Sequence, residues 1–350
     1  MLEVEKPVAG RKLTISDVAT RAGVSKGLVS FALNDRPGVS PETRQRILAV
    51  AQDMGWQPDA KARALSTSRS LAYGLVLSRN PSVLSSDPFF PTFISGIERA
   101  ISDLGHVLVL SVVESTEREL ETYRALLETG RVDGVFLTDV RRFDPRVALV
   151  EELNSHAVVL GHPDVDSPLP VLAVSDDEAL AALANHLADL GHRRVGIVTG
   201  PPQMLHAARW RDALVSAFGT RGVQASGVVE TDFSAEMGVA ATRELLARSD
   251  RPTAIVYAND HMALAGLGHA RRAGIDVPRE LSIAGYGDSD MTRYAYPSLT
   301  TVAVDVAEWG FRAAKLLMHE VAGTGSDVGE LPPARLEVRE STASVPRWRP

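Results

Sequence analysis

Ser25, Lys26, Ser30 and Asn34 recur at a spacing that gathers them on one face of a helix, with Gly27 and Leu28 beside them. Hydroxyl, ammonium and amide groups so arranged can hydrogen-bond to base edges and phosphates in a DNA major groove. The opposite face of the same stretch, Val24, Val29, Ala32 and Leu33, is apolar and needs a surface to pack on. Directly upstream, Val18, Ala19 and Ala22 form a matching stripe on a first helix, with Thr14 as its cap and Asp17 three residues on completing a capping box. Gly23 allows a tight turn and Ser25 caps the second helix. The pair reads as a helix-turn-helix, although periodicity alone equally allows a small helical subdomain that touches no nucleic acid.

A turn by composition, Asn34 to Gly38, leads to a third helix with Ser40 as cap and Pro41 at its first position. It runs through Ile47, Leu48 and Ala51 to stop at Gly55, and its apolar face completes a three-helix bundle. Pro58 to Thr67 is alanine-rich and too short to be a stable isolated helix, so by itself it reads as a linker. Charge is divided along the chain. Residues 1–70 hold 11 Lys+Arg against 7 Asp+Glu, a net of +4, while the other 280 hold 26 against 37, a net of −11. The basic part is the part with the helix-turn-helix, and an acidic body limits non-specific adhesion to DNA.

Beyond Ala72 short apolar runs alternate with amphipathic helices. Strands are expected at 73–77, 107–110, 132–137 and 158–160 with helices at 93–104, 120–127 and 147–153. A second series follows, with helices at 178–190, 207–218, 235–246 and 262–273 and strands at 195–198, 228–229, 254–257 and 281–284. This alternation implies two doubly wound parallel sheets with a cleft between the carboxyl ends of their strands. A nucleotide-dependent dehydrogenase is disfavoured: Gly266-Leu267-Gly268 lies inside a helix, with Arg271 where a third glycine is required. No catalytic constellation, metal site or cofactor is expected. There is no cysteine for disulfides or thiolate ligands, and no histidine pair has metal spacing. No apolar run approaches membrane-spanning length, and Met1 to Arg11 lacks a signal-peptide core, so the expectation is a cytoplasmic protein without membrane contact.

The words Asp17-Val18-Ala19, Ala22-Gly23-Val24-Ser25, Val29-Ser30 and Leu33-Asn34 resemble the headpiece of the LacI/GalR family of bacterial transcription regulators. The resemblance continues through Leu190-Gly191-His192-Arg193-Arg194, Ala258-Asn259-Asp260-His261-Met262-Ala263-Leu264, Pro297-Ser298-Leu299-Thr300-Thr301-Val302 and Arg339-Glu340-Ser341-Thr342. It implies an all-α headpiece (1–57), a hinge helix (58–70) and a two-lobed core like that of periplasmic binding proteins (71–350). One lobe would take about 71–172 and 302–332, the other about 173–301 and 333–345. The implied partners are double-stranded operator DNA, a small-molecule effector such as a sugar, and a second copy in a homodimer, most simply as a repressor on a palindromic operator. The DNA-contacting set would be Thr14, Ser25, Lys26, Gly27, Leu28, Ser30, Asn34, Ser40, Thr43, Ala62 and Leu65. Leu65 would wedge into the minor groove. Leu28 stands where threonine or alanine is common, and Phe31 where arginine is usual.

By position the resemblance implies effector contacts at Phe89, Phe90, Arg209, Phe233, Asn259 and Asp288. Stacking rings with a charged fork suit a sugar or similar polar ligand. Four of these have a plainer alternative: Phe90 and Phe233 as core rings, Arg209 as a solvated charge, Asn259 with Asp260 as a helix cap. Sugar-responsive members commonly carry an aspartate directly after Gly-Tyr; here Gly287 takes that place and Asp288 follows.

Overall fold

A computed structural model describes residues 13–33, 37–56, 69–79, 81–325 and 328–345. The chain divides into two compact units, Met1–Arg69 and Ser70–Pro350. Expected site residues Asn34, Ala62 and Leu65, and with them most of the expected hinge, lie outside the described residues.

In the first unit α1 (Ile15–Ala22), α2 (Lys26–Leu33) and α3 (Pro41–Asp53) bury Val18, Val29 and Ile47 completely. Local chemistry sets each end. The Asp17 carboxylate accepts from both the N–H and the hydroxyl of Thr14, at 2.7 Å each. Gly23 closes α1 at φ +67°, a left-handed conformation that glycine adopts without penalty. An exposed ion pair, Arg21 to Asp53 at 3.0 Å, joins α1 to α3.

The second unit contains two sheets. The first is built from β1 (Ala72–Leu77), β2 (Val107–Val112), β3 (Gly134–Leu137), β4 (Ala157–Leu160) and β5 (Val171–Leu172), in the order β2-β1-β3-β4-β5 with every pairing parallel. The second is built from β6 (Arg194–Thr199), β7 (Gln224–Glu230), β8 (Ala254–Tyr257), β9 (Ser282–Gly287), β10 (Thr300–Ala303) and β11 (Arg335–Glu337), in the order β11-β10-β9-β8-β6-β7, and β11 alone runs antiparallel. Central strands β1, β3, β4 and β8 are buried along their whole length, as parallel strands covered on both faces must be.

Helices α4 (Pro81–Ser86), α5 (Phe89–Ile101), α6 (Thr116–Glu128) and α7 (Pro145–Glu152) follow strands of the first sheet. Helices α8 (Asp177–Asp189), α9 (Leu205–Thr220), α10 (Ala235–Ala247), α11 (Asp260–Arg272) and α12 (Met291–Tyr294) are interleaved with the second. Helix α5 starts four residues earlier than the expected 93, because Pro91 falls in its first turn, where proline takes no backbone donor from the helix.

Helix α13 (Val306–Ala322) follows a strand of the second sheet yet packs in the core of the first lobe, where Ala313, Ala314 and Leu317 are fully buried beside Tyr73 and Ile97. Its approach to α5 is backbone to backbone: a Cβ at Gly96 would lie 2.0 Å from the Ala307 carbonyl oxygen, and one at Gly310 would lie 2.1 Å from that of Phe93. The chain therefore passes between lobes three times, after β5, after β10 and before β11. These passages are tied together by Ala334 N–H to the Ser175 carbonyl (3.0 Å) and by the Trp309 indole to the Leu172 carbonyl (3.3 Å).

Under the first lobe lies a buried charge network. Arg146, 1% exposed, donates to Asp144 at 2.6 Å, to Glu119 at 2.7 Å and to the Thr138 carbonyl at 2.8 Å. The second oxygen of Glu119 accepts from Arg141 at 2.5 Å. Burial pushes Glu119 above the usual carboxylate range despite both arginines, whereas at Asp144 the Arg146 hydrogen bonds and charge outweigh burial and hold it below.

Candidate functional site

The outward side of α2 carries the groups expected to read DNA. Ser25, Lys26 and Gly27 are exposed, and Leu28 and Ser30 are half-buried. The Ser25 hydroxyl accepts from the Leu28 N–H at 3.2 Å, so it caps the helix while standing at its open end. Ser40 caps α3 in the same way, accepting from the Thr43 N–H at 3.3 Å and donating to the Thr43 hydroxyl at 2.9 Å. Thr14, Ser25 and Ser40 thus each stand at a helix N-terminus, where backbone N–H groups favour an approaching phosphate. Phe31 is 41% exposed on the same helix.

In the second unit the ends of β1, β3, β6, β7 and β8 bring the two lobes face to face. Backbone joins them at one place: Leu205 N–H donates to the Val140 carbonyl at 2.8 Å, Arg142 N–H to that of Gln203 at 3.4 Å, and Arg141 forms a bridge with Met204. Side chains join them at another, where Asn259 donates to Asp87 at 2.8 Å. Asn259 also caps α11 by accepting from the Met262 N–H at 2.8 Å and donates to the Phe233 carbonyl at 3.1 Å.

The rings expected to stack on a ligand are mostly packed inside. Phe90 and Phe233 are 4% and 6% exposed. Phe89 is half-buried among Phe90, Phe93 and Trp309. Phe233 holds a left-handed φ of +71°, and its ring fills the space left by Gly200, where a Cβ would lie 1.9 Å from Cζ. Arg209 is exposed on α9. Asp288 is drawn away from the others: its carboxylate accepts from Arg339 at 2.5 Å, Arg293 at 3.0 Å and Thr292 at 3.1 Å, all within the second lobe.

Sequence reasoning missed the polar core of this cleft. Arg79, just past β1, forms a two-pronged ion pair with Asp139, just past β3, at 2.7 and 2.6 Å. Its guanidinium lies 4.6 Å from the centre of the Phe233 ring and 5.8 Å from that of Phe90. The Arg79 pairing outweighs burial and holds Asp139 far below the usual carboxylate range. His206 stacks on Phe233 at 5.7 Å and 13°. Farther along, Tyr286 donates to Asp176 at 2.7 Å, Trp210 meets Tyr286 edge-on, and partial burial together with the Arg209 charge lowers the His162 pKa.

Gly287 has a structural partner in Asp260. That carboxyl, 3% exposed, accepts from the Thr301 hydroxyl at 2.6 Å and the Ser289 N–H at 2.7 Å, and burial pushes its pKa up to about 6. A Cβ at residue 287 would lie 3.3 Å from the Asp260 Oδ2, at a φ of +128°. Gly287→Asp is therefore expected to destabilise the core by about 1–3 kcal/mol from backbone strain, and to raise the Asp260 pKa further by like charge. An acid whose native pKa is raised favours the folded state increasingly as pH falls through that value, so the loss should shrink from pH 7 towards pH 5. Urea unfolding at both pH values checks it; an unchanged midpoint would show that the site admits a carboxylate.

A basic helix-turn-helix unit and a two-lobed α/β binding core define a DNA-binding regulator with a ligand-binding body. The model for bacterial regulatory proteins of the lacI family matches residues 14–59, and that for a periplasmic binding protein-like domain matches 184–342. The chain is 32% identical over 341 residues to the HTH-type transcriptional regulator CelR of Thermobifida fusca, covering 95% of this chain and 98% of that one. It is 30% identical over 340 residues to the transcriptional repressor CytR of Escherichia coli (strain K12), covering 95% and 97%. Among solved structures, a CelR–cellobiose complex aligns with TM-score 0.70 at 30% identity over 94% of this chain and 99% of that one. The lac repressor dimer bound to operator and an anti-inducer aligns with TM-score 0.80 at 26% identity over 95% and 100%. The chain belongs to the LacI family of transcriptional regulators. It binds DNA and is not an enzyme. No helix among the described residues is long and apolar enough to cross a membrane.

Proposed function

We propose that this protein is a ligand-responsive repressor that binds a near-palindromic operator as a homodimer in the cytoplasm, with a sugar or similar polar metabolite held between its lobes. The observation that carries the reading is the exposed face of α2, Ser25, Lys26 and Gly27, in a unit separate from the two-lobed core. Ser25, Lys26, Ser30 and Leu28 read bases or phosphates, Leu28 by contact with a thymine methyl. Thr14, Ser40 and Thr43 meet the backbone, and the segment with Ala62 and Leu65 links headpiece (1–57) to core (71–350) and enters the minor groove. Exposed Met291, Tyr294 and Tyr296, at 63%, 80% and 78%, give the second lobe an apolar surface suited to a second copy.

Arg209 is exposed on α9 and its charge acts on His162 of the other lobe, while Asn259 joins the lobes through Asp87. A charged hydrogen bond contributes about 1.5–3 kcal/mol, so Arg209→Ala should raise the effector concentration needed for response at least tenfold while leaving ligand-free operator binding intact. The test is a gel shift on the gene's own upstream DNA, repeated with cellobiose, other sugars and nucleobases. No shift with the native chain would overturn the DNA reading, and a native-like response from the variant would overturn the role of Arg209.

A further inference from the structure

We propose that Arg79 is a latch between the two lobes, held on the first by Asp139 and Phe90 and pressing on Phe233 of the second. The guanidinium does two jobs with two parts. Its edge is used by Asp139 through Nε and Nη2, at 2.7 and 2.6 Å, and its flat face lies 4.6 Å from the Phe233 ring centre. A guanidinium can hold a carboxylate with the two-pronged fork of its edge while its flat face lies on an aromatic ring, a geometry a compact ammonium lacks. Both side chains of the ion pair are about nine-tenths buried, at 10% and 11% exposure, so neither contact is much weakened by water.

Both receivers are fixed. β1 and β3 are paired neighbours in a parallel sheet, so the residues that follow them emerge side by side. Phe233 is locked against Gly200, and its carbonyl is held by Asn259. The contacts around Arg79 trade side chains across the cleft: Val83 of α4 is buried in the core of the second lobe, and Leu205 of α9 in that of the first. Among these inter-lobe contacts Arg79 supplies a cation, as Asp87 supplies an anion to Asn259, and the ring Arg79 covers is thereby engaged by the chain itself.

The test is hydrogen exchange in the full chain, read at the Leu205 and Arg142 amides, which donate across the cleft, against the Val135 and Gln224 amides, which donate to the His156 and Arg193 carbonyls within single lobes. Arg79→Met with Asp139→Asn removes both charges, and asparagine tolerates the φ of +52° at residue 139. The variant should speed exchange at Leu205 and Arg142 about tenfold or more while the two control amides hold their rates. Phe233→Leu keeps the ion pair and an apolar side chain against Gly200 while removing the aromatic platform, so it should give the same pattern even if the double variant fails to fold. Unchanged rates at Leu205 and Arg142 in Phe233→Leu, or equal acceleration at the control amides, would overturn the latch.

Discussion

Residues 1–70 alone are expected to bind operator DNA about 10²–10⁴-fold more weakly than the whole chain, the usual gain when a second site engages intramolecularly. The fragment should fold, since Val18, Val29 and Ile47 are fully buried within the three helices themselves. On the proposed dimer, what it lacks is the partner headpiece that the core would place over the second half-site. A second effect has the opposite sign. The core carries a net −11 and repels DNA, so removing it should leave non-specific binding as strong or stronger. Anisotropy titrations on operator and on random DNA at two salt concentrations separate the two. Equal operator affinity for fragment and whole protein would remove the basis for the dimer reading.

Replacing Arg146 with alanine should destabilise the core by about 3–5 kcal/mol, the range for stripping one partner from a buried ion pair. Glu119 and Asp144, 1% and 3% exposed, would be left facing each other's charge without their shared cation. In the native chain Asp144 is held below its ordinary pKa, so its contribution is present near neutral pH and fades as pH falls through the native value. Without Arg146 both carboxyls rise, and the variant's deficit should narrow from pH 7 to pH 5. Denaturant midpoints at the two pH values measure it. A triple change, Arg146→Met with Glu119→Gln and Asp144→Asn, should recover part of the loss: it removes both stranded carboxylates but leaves Arg141 without its charged partner Glu119.

The headpiece was legible because its determinants are local. Thr14 and Asp17 are three residues apart, as are Ser40 and Thr43, and a cap and an apolar stripe can be read in one turn of helix. The strand and helix alternation of the core was legible for the same reason. Strand β10 was not, because Thr300 and Thr301 read as polar until Asp260 and Ser341 are seen to hydrogen-bond with them. The cleft was least legible. Arg79 and Asp139 are 60 residues apart, and only the pairing of β1 with β3 puts them together. Phe89, Phe90 and Phe233 lie among the rings and charges of this part of the fold, but ring type says nothing about which neighbour takes the ring. At Asp288 the partners Arg293 and Arg339 decide the matter, and Arg339 comes from the far end of the chain.

The three passages between lobes bear on how the protein is made. A ribosome releases the chain from its N-terminus, so the headpiece can finish folding early. Neither lobe can. The first needs α13, residues Val306–Ala322, against Gly96, and the second needs β11, Arg335–Glu337, with the backbone of Ser341 pairing to Ile283. For most of synthesis both sheets are therefore incomplete, with apolar faces waiting for segments not yet translated. The lobes should then appear together, as one cooperative step after translation rather than two in succession, and a nascent core is a natural client for chaperones that shield such faces.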